Sequence, residues 1–575
     1  MSKYCVTKDC KIGFFREILR IFFSSFLIAR PVDLFQQFFR FMKTKQKIVT
    51  VLILISFGLS QLVTPVLSLW PSMVALLSVI LFRNALVGLF TGAISGVILI
   101  SKGNPVEAFS SFFSQILLPT LSSEWNVSVL IFTLLLGGFA ALLEKGGGFD
   151  SILQKWLRQS EKLRHKVQWS AFSIGILCFF DGLASALLTG RALRPIADRA
   201  GVSRAKLAYI VDSTGSAVAC IAIMSTWIAY QLSMIREGYL AAGIEGTEPF
   251  ILFISSIPRN FYCWFTLLLV FLSIRYSINL GAMRIAEQKT ANQTEPSANL
   301  KTSSDSTGGK ASSKGVTLPL ITLIGSLFIG LYWNGVTGDA WPISFDKLKQ
   351  AYGDAQSNLV LLYSSTLACI VALIANQRAI VDKKLSLTQV FGEGVSRFLS
   401  PSLVLIAAWC LSGTLRELGA STFLSQALSG NLSPALLPVS VFILGVLISF
   451  TTGTSWGTMG VLMPLTIPVC ASIAPGSDAI MASAVAAVFS GAVFGDHCSP
   501  LSDTTIISSI ACEINPYEHF RTQLPYSLLA ASVASLAGFI PMGYGLPPSL
   551  CLLLGSCILL ITSVIIRKYF PDSSS

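Results

Sequence analysis

Long apolar segments separated by short polar connections run along most of the chain, a pattern typical of helices that cross a membrane. A helix needs about 20 apolar residues to span the bilayer core. The pattern predicts an all-α polytopic membrane protein with about 12 transmembrane helices. The segments that reach or approach the required length lie at residues 48–66, 70–82, 84–101, 127–144, 205–231, 250–274, 316–335, 357–376, 398–415, 478–511, 525–541 and 545–566.

Two further apolar stretches, residues 167–199 and 434–473, are interrupted by polar, glycine-containing clusters. Lys and Arg flank the first stretch on both sides, whereas residues 419–431 and 471–478, which flank the second, contain neither. Because cytoplasmic loops retain Lys and Arg, both ends of the first stretch are predicted inside and both ends of the second outside. We therefore predict two re-entrant hairpins that enter from opposite faces.

The order span, hairpin, broken span, span occurs twice with opposite orientation, and inverted repeats with broken helices are typical of secondary transporters. The same assignment of loops to the two sides of the membrane places both termini in the cytoplasm. The predicted organisation is a cytoplasmic N-terminal segment with an interfacial amphipathic helix (1–47), peripheral scaffold helices (48–126), a first inverted repeat (127–286), a disordered cytoplasmic linker (287–315), scaffold helices (316–397), a second inverted repeat (398–541), and a final helix with a cytoplasmic tail (542–575).

Composition narrows the class of protein. Of the 575 residues, 53% are hydrophobic and 12% charged, whereas soluble chains carry about 25% charged residues, so a soluble enzyme is excluded. The net charge of +12 follows from basic cytoplasmic loops and predicts no nucleic-acid partner. The 12 cysteines include no C-x-x-C pair. We expect a multi-pass protein of the cell inner membrane with lipid as its partner and no cofactor, and leave a homodimer open.

Four polar clusters lie at membrane depth: residues 180–182, 212–216, 451–457 and 494–504. Glycine or proline can open a helix there only where the freed carbonyls face protein or water, and buried carboxylates are costly unless they are paired or functional. Carboxylate, hydroxyl and carbonyl oxygens suit an alkali cation. The predicted ion or substrate ligands are Asp181, Asp212, Ser213, Thr452, Thr454, Asp496, Ser499 and Asp503, the predicted proton relay is His497, and the predicted backbone openings are Gly182, Gly215, Gly453, Gly457, Gly495 and Pro500.

Asp496 and Asp212 are the principal predicted ligands because each lies beside a predicted helix break, one per repeat. Structural roles remain open for several candidates. The carboxylates could cap broken helices, and the hydroxyls could bond back to their own helices. His497 could orient a neighbouring carboxylate rather than carry a proton. His519 is predicted at the surface, in the loop before the next span.

The sequences of several of these polar segments resemble those of a known family. Residues 452–458 (TGTSWGT), 495–505 (GDHCSPLSDTT), 194–199 (RPIADR) and 206–214 (KLAYIVDST) make the region 70–541 similar to the NhaC-type sodium/proton antiporter family, within the ion transporter superfamily. Two positions depart from the family pattern: Gly182 stands where a second acidic residue often follows Asp181, and Gly215 with Ser216 replaces a small-residue and proline stretch. Members of this family look like sodium/proton exchangers in some cases and carriers of organic anions or amino acids in others.

The resemblance implies that the chain is a secondary transporter and not an enzyme, with Na+ held at Asp212 and Asp496. We expect antiport of sodium or lithium against protons by alternating access, with cation and proton competing for buried carboxylates. Sodium- or proton-coupled transport of a small amino acid or carboxylate is the alternative. An intramembrane aspartate protease is disfavoured because Val493 stands where the first glycine of its G-x-G-D string belongs. Inverted hairpins also suit alternating access better than a continuous channel.

Overall fold

The computed structural model describes residues 47–62, 64–149, 151–152, 163–293, 312–338, 340–428 and 432–569. Within these ranges the chain is helical and contains no strand. Ten helices are long and apolar enough to cross a membrane, or up to twelve if each of two bent pairs counts as one span. The predicted all-α polytopic fold is confirmed. The predicted N-terminal amphipathic helix and most of the predicted linker fall on residues 1–46 and 294–311, outside the described residues.

The chain divides into two compact units, residues 1–55 and 56–575. Only residues 47–55 of the first unit are described, and they are helical. In the second unit, a 3₁₀ turn at Pro65–Leu69 leads into a tightly packed helical pair. The helices up to the first predicted repeat are α1 (Lys47–Leu59), α2 (Trp70–Phe82), α3 (Ala85–Ile100), α4 (Pro105–Ser111), α5 (Leu118–Ser122) and α6 (Glu124–Gly146).

The first interrupted stretch forms two helices joined by a sharp turn, followed by a helix pair that bends by 47° and a second pair that bends by 43°. Asp181 caps the second arm of the hairpin, and Ser225 caps the helix after the first bend, each through its side chain. The helices are α7 (Leu163–Leu177), α8 (Gly182–Arg199), α9 (Arg204–Ile221), α10 (Thr226–Ala242), α11 (Pro249–Ser256), α12 (Phe261–Arg275) and α13 (Ala282–Gln293).

Glu287 of α13 joins the two ends of this first hairpin. Its Oε2 pairs with the Arg164 guanidinium at the start of α7, and its Oε1 accepts a 2.7 Å hydrogen bond from the backbone N–H of Ser203, just after α8. Both ends of the hairpin therefore lie together, as a re-entrant segment requires. Glu287 was predicted to begin a disordered linker; instead it is buried and helical, because this ion pair and Ser203 satisfy its carboxylate.

A scaffold follows, and then the second repeat, which again contains a hairpin and a broken helix. The hairpin turns at Gly453, whose φ of +69° lies in the left-handed region that glycine adopts without strain. The helices are α14 (Lys314–Gly335), α15 (Phe345–Asp354), α16 (Ser357–Asp382), α17 (Leu387–Arg397), α18 (Leu399–Glu417), α19 (Ala420–Leu428), α20 (Leu437–Thr452), α21 (Ser455–Ile473), α22 (Asp478–Cys498), α23 (Asp503–Cys512), α24 (Pro516–Val533), α25 (Ile540–Gly543) and α26 (Pro548–Tyr569).

In each repeat the hairpin tip lies against the break of the helix that follows. The carbonyl of Phe180, at the first tip, accepts a 2.9 Å hydrogen bond from the N–H of Thr226, where α10 begins. At the second tip, a Cβ on Gly453 would meet the backbone of Leu501 at 3.0 Å, between α22 and α23. Both repeats therefore place a hairpin tip against opened backbone, through a hydrogen bond in the first repeat and through close packing in the second.

Three of the glycines predicted to open helices do not do so. Helix α9 is continuous through Gly215, α22 through Gly495, and Gly457 lies in the first turn of α21. They allow close approach instead: a Cβ on Gly495 would lie 2.4 Å from that of Ser449, and one on Gly215 would lie 3.0 Å from the carbonyl oxygen of Gly182. The actual breaks lie at residues 222–225 and 499–502, the second of which contains Pro500.

Ion pairs between distant segments join residues that the predicted topology assigns to the same side. Glu513 pairs with Arg194 and Arg204, which are all predicted inside. Arg416 and Glu237, both predicted outside, approach to 3.7 Å. Arg416, a basic residue at the predicted external end of α18, thus has an acidic partner.

Candidate functional site

Asp212 of α9 lies at the centre of a buried polar cluster. The hydroxyl of Ser508, on α23, donates to its Oδ1 at 3.1 Å, and the side-chain amide of Gln523, on α24, donates to its Oδ2 at 2.8 Å. The Nε2 atom of His519, one turn before Gln523, lies 3.4 Å from the same Oδ2. All four residues are at most 1% exposed. A carboxylate of the first repeat is therefore held by three side chains of the second.

Asp496 lies near the end of α22, beside the second helix break. Its Oδ1 accepts a 3.3 Å hydrogen bond from Ser502, while its Oδ2 is buried and has no hydrogen-bond partner among the described residues. Pro500 stands four residues after Asp496 and lacks the N–H that would continue the helix. The hydroxyls of Thr505 and Thr504 instead donate to the Asp496 carbonyl, at 2.7 and 3.2 Å.

His497 follows Asp496 but faces a different partner. Its Nδ1 lies 3.0 Å from the hydroxyl of Tyr262 on α12, and its Nε2 has no hydrogen-bond partner among the described residues. The ring lies close enough to Asp212 and His519 for their charges to act on it. The site therefore contains two carboxylates and two imidazoles, all buried.

Asp212 and Asp496 also lie within electrostatic range of each other. Two buried negative charges repel strongly in a medium of low dielectric constant, and a bound proton or cation would relieve that repulsion. Other buried oxygens here lack hydrogen-bond partners within the described residues: the Ser213 and Ser216 hydroxyls of α9 and Oε1 of Gln523. An unsatisfied buried acceptor costs about 1–3 kcal/mol. Hydroxyl and amide oxygens of this kind suit a small cation with hard-oxygen preference.

Two of the predicted ligands serve as helix caps. Asp181 is buried, and its Oδ1 accepts a 3.0 Å hydrogen bond from the N–H of Leu183 at the start of α8. The hydroxyl of Thr454 accepts a 3.2 Å bond from the N–H of Gly457 at the start of α21. Both residues therefore have the structural role that was left open as the alternative to ion binding. These caps stabilise the hairpin tips.

The remaining predicted ligands lie near the second break but have other partners. The Thr452 hydroxyl bonds back to the Ile448 carbonyl at 2.7 Å, and the Ser499 hydroxyl accepts a weak 3.4 Å bond from the N–H of Leu501. Asp503 is exposed in the first turn of α23, so the structure does not bring it into the Asp212 cluster.

A second polar group surrounds the break between α9 and α10. The Gln231 amide donates to the Cys220 carbonyl at 3.0 Å, and Asn260 donates to the Cys220 sulfur at 3.4 Å. The Ser490 hydroxyl of α22 donates to Asn260 at 2.5 Å. The Gln231 amide replaces a backbone partner that the break removes from the Cys220 carbonyl. None of these side chains was predicted from the sequence.

The sequence analysis also missed the residues that hold Asp212. It placed His519 at the surface, and this was wrong: the side chain is fully buried. The error arose because the apolar run begins only at residue 525, whereas α24 already begins at Pro516. A usable signal was present, since His519 and Gln523 are four residues apart and therefore share one helix face.

Comparison with known proteins identifies the family. Residues 218–544 match the family model described as the Na+/H+ antiporter family, and this range contains α10 to α24 with Asp496 and Gln523. A Haemophilus influenzae protein described as uncharacterized is 30% identical over 483 residues, covering 83% of this chain and 91% of its own length.

Two relatives with named activities are similar over shorter regions. The Na+/H+ antiporter NhaC of Alkalihalophilus pseudofirmus is 34% identical over 143 residues, 24% of this chain and 28% of its own. The malate-2H+/Na+-lactate antiporter of Bacillus subtilis is 30% identical over 152 residues, 26% of this chain and 32% of its own. The chain thus matches only about a third of the length of either named relative.

Among solved structures, the Alcanivorax borkumensis YdaH transporter superposes with a TM-score of 0.50 at 15% identity, covering 77% of this chain and 90% of that one. This likeness concerns the fold alone. The family match spans more than half of the chain and the related protein covers most of it. The chain therefore belongs to the Na+/H+ antiporter family, of the NhaC type, and is a multi-pass membrane transporter.

Proposed function

We propose that the chain exchanges Na+ or Li+ for protons by alternating access, in the inner membrane and with both termini in the cytoplasm. The observation that carries the proposal is the buried Oδ2 of Asp496, which has no hydrogen-bond partner in the described part of the chain and lies within electrostatic range of Asp212. A proton or a small cation can satisfy that oxygen, and both cannot occupy it together. Competition at one carboxylate couples the two ions without a separate proton path.

The two aspartates then have different parts in the exchange. Both oxygens of Asp212 already accept hydrogen bonds, from Ser508 and Gln523, so this carboxylate supplies a fixed negative charge. Asp496 retains one open oxygen and exchanges its occupant. Withdrawal from water strengthens both the proton's and the cation's attraction to that oxygen. The occupant neutralises the charge of Asp496, so that carboxylate is not left as a bare charge while the site changes its accessibility.

The hairpins supply the moving parts in this proposal. Each tip contacts the break of the helix beside it, through Phe180 and Thr226 in the first repeat and Gly453 and Leu501 in the second. Because the hairpins are predicted to enter from opposite faces, displacement of one tip opens the site to one side. Inverted repeats with sites at broken helices work by this kind of rocking.

Sodium- or proton-coupled transport of an organic solute is the second candidate. The named Bacillus subtilis relative is a malate-2H+/Na+-lactate antiporter, which motivates it. A carboxylate solute would need a donor-rich pocket next to the cation. The ring of Trp456 lies 4.4 Å from that of Tyr230, whose hydroxyl donates to the Trp456 carbonyl. The two rings could line one side of a solute site, but each already packs against the other.

Counterflow in proteoliposomes under an imposed pH gradient tests both candidates. Sodium or lithium alone should dissipate the gradient, with no added amino acid or dicarboxylate. Asp496→Asn should abolish the exchange while the protein still inserts, because asparagine cannot bind and release a proton. Asp478→Asn is the matched control, since Asp478 is exposed at the other end of the same helix. A strict requirement for an organic solute would replace the exchanger with the solute carrier.

A further inference from the structure

The side chain of Gln523 presents one end to Asp212 and leaves the other end without a partner. Its Nε2 donates to Asp212 Oδ2 at 2.8 Å, while its Oε1 has no hydrogen-bond partner in the described ranges. The residue is fully buried in α24. A carboxylate can only accept hydrogen bonds, so the amide nitrogen must face Asp212 and the oxygen must point elsewhere. The orientation of this amide follows from chemistry alone.

We propose that Gln523 Oε1 is a ligand of the transported cation and helps to select among alkali ions; this rests on the proposed exchange function. The oxygen is neutral, hard and withdrawn from water, which are the properties of side-chain amide ligands for hard cations. It belongs to the same side chain that holds Asp212, so a cation there would lie near a fixed negative charge. Ser213 and Ser216 lie on α9 with Asp212, and their hydroxyls also have no hydrogen-bond partner among the described residues.

A purely structural role for Gln523 leaves its oxygen unexplained. A hydrogen bond to Asp212 needs only a donor, and Ser508 and His519 already flank that carboxylate. Burying an amide oxygen without a partner is unfavourable unless something else occupies the space beside it. A cation that binds during transport supplies that partner, and glutamine is the residue that serves both contacts from one position.

Apparent Na+ and Li+ affinities of reconstituted variants test the assignment. Gln523→Leu should raise the half-saturating Na+ concentration about tenfold, the effect of losing one contact to a charged group. The ratio of Li+ to Na+ affinity should also change, by roughly threefold or more, because the two ions differ in size and in the number of oxygens they need. Gln523→Asn keeps the amide but withdraws its oxygen by one methylene, and should weaken Na+ affinity while preserving the fold.

Gln168→Leu is the matched control, because it also removes a buried glutamine, whose amide donates to the Arg164 carbonyl at 3.4 Å rather than to Asp212. It should leave both affinities unchanged. If Gln523→Leu and Gln523→Asn keep the native affinities, or shift Na+ and Li+ equally, Gln523 does not ligate the ion. In that case the wild type still exchanges Na+ for protons, and only the assignment of Gln523 as a cation ligand is wrong. Absence of Na+-driven proton movement in the wild type would instead overturn the underlying function.

Discussion

Gly445 of α20 and Gly491 of α22 lie in backbone contact: a Cβ on Gly491 would stand 2.9 Å from the Gly445 Cα. The first arm of the second hairpin thus packs directly on the helix that contains Asp496. One turn further along, the Ser449 hydroxyl donates to the Gly491 carbonyl at 2.7 Å. Close packing of small residues and hydrogen bonds from hydroxyls stabilise helix pairs in a membrane, where the hydrophobic effect does not drive helices together.

Gly491→Ala should destabilise the protein by about 1–3 kcal/mol, because the new methyl group has no space against the Gly445 backbone. The apparent melting temperature in detergent measures the effect. Gly325→Ala is the control: Gly325 lies inside α14 with nothing within 4 Å of a built Cβ, so alanine there should be neutral or mildly stabilising. Equal melting temperatures for the two variants would show that the backbones of Gly445 and Gly491 are not in tight contact.

Glu287→Gln should loosen α13 from the first hairpin and cost roughly 1–3 kcal/mol, since Arg164 loses a charged partner and Ser203 N–H a strong acceptor. Hydrogen exchange at the start of α7 and the end of α8 should rise. Asp198→Asn provides the contrast, because the Asp198–Arg204 pair is about 40% exposed on both sides and such pairs contribute about 1 kcal/mol or less. Similar effects of both changes would contradict a bridging role for Glu287.

The hairpins could be predicted from the sequence because two independent signals agreed. Polar clusters interrupted the apolar runs, and the Lys and Arg distribution gave each hairpin two ends on one side. The contacts of Glu287 with Arg164 and Ser203 fulfil that expectation for the first hairpin. Positions of helix breaks were less predictable, because Gly215 marks close packing whereas the break at residues 222–225 contains neither Gly nor Pro.

The candidate site was predictable where a carboxylate stood alone in an apolar segment, as at Asp212 and Asp496. The residues that surround and hold these carboxylates could not be predicted. His519 and Gln523 lie in a segment polar enough to look like a loop, and only tertiary packing turns their shared helix face toward Asp212. Asp503 was predicted as an additional ligand, yet it lies in the first turn of α23, where its side chain is exposed.

The two hairpins should open to opposite sides of the membrane. With native cysteines replaced, a single cysteine at Gly201 should react with a membrane-impermeant maleimide only from the cytoplasmic side. A cysteine at Gly476 should react only from outside, because Gly476 follows the second hairpin. Reference cysteines at Gly246 and Lys384 report the predicted outer and inner loops. Labelling of Gly201 and Gly476 from the same side would refute the inverted arrangement.

Sodium and protons should compete, so that acidification of the loading side raises the half-saturating Na+ concentration while saturating Na+ restores the full rate. When one carboxylate binds either ion, each unit of pH below its titration point raises that concentration by up to about tenfold. We expect the change within about pH 5 to 8. His497→Gln should shift the midpoint without removing the competition, because His497 bonds to Tyr262 rather than to the exchanging oxygen. Solid-supported-membrane currents recorded over a grid of pH and Na+ concentration separate the two effects. A pH-independent Na+ affinity would require separate sites for the two ions, and Asp496 could then carry only one of them.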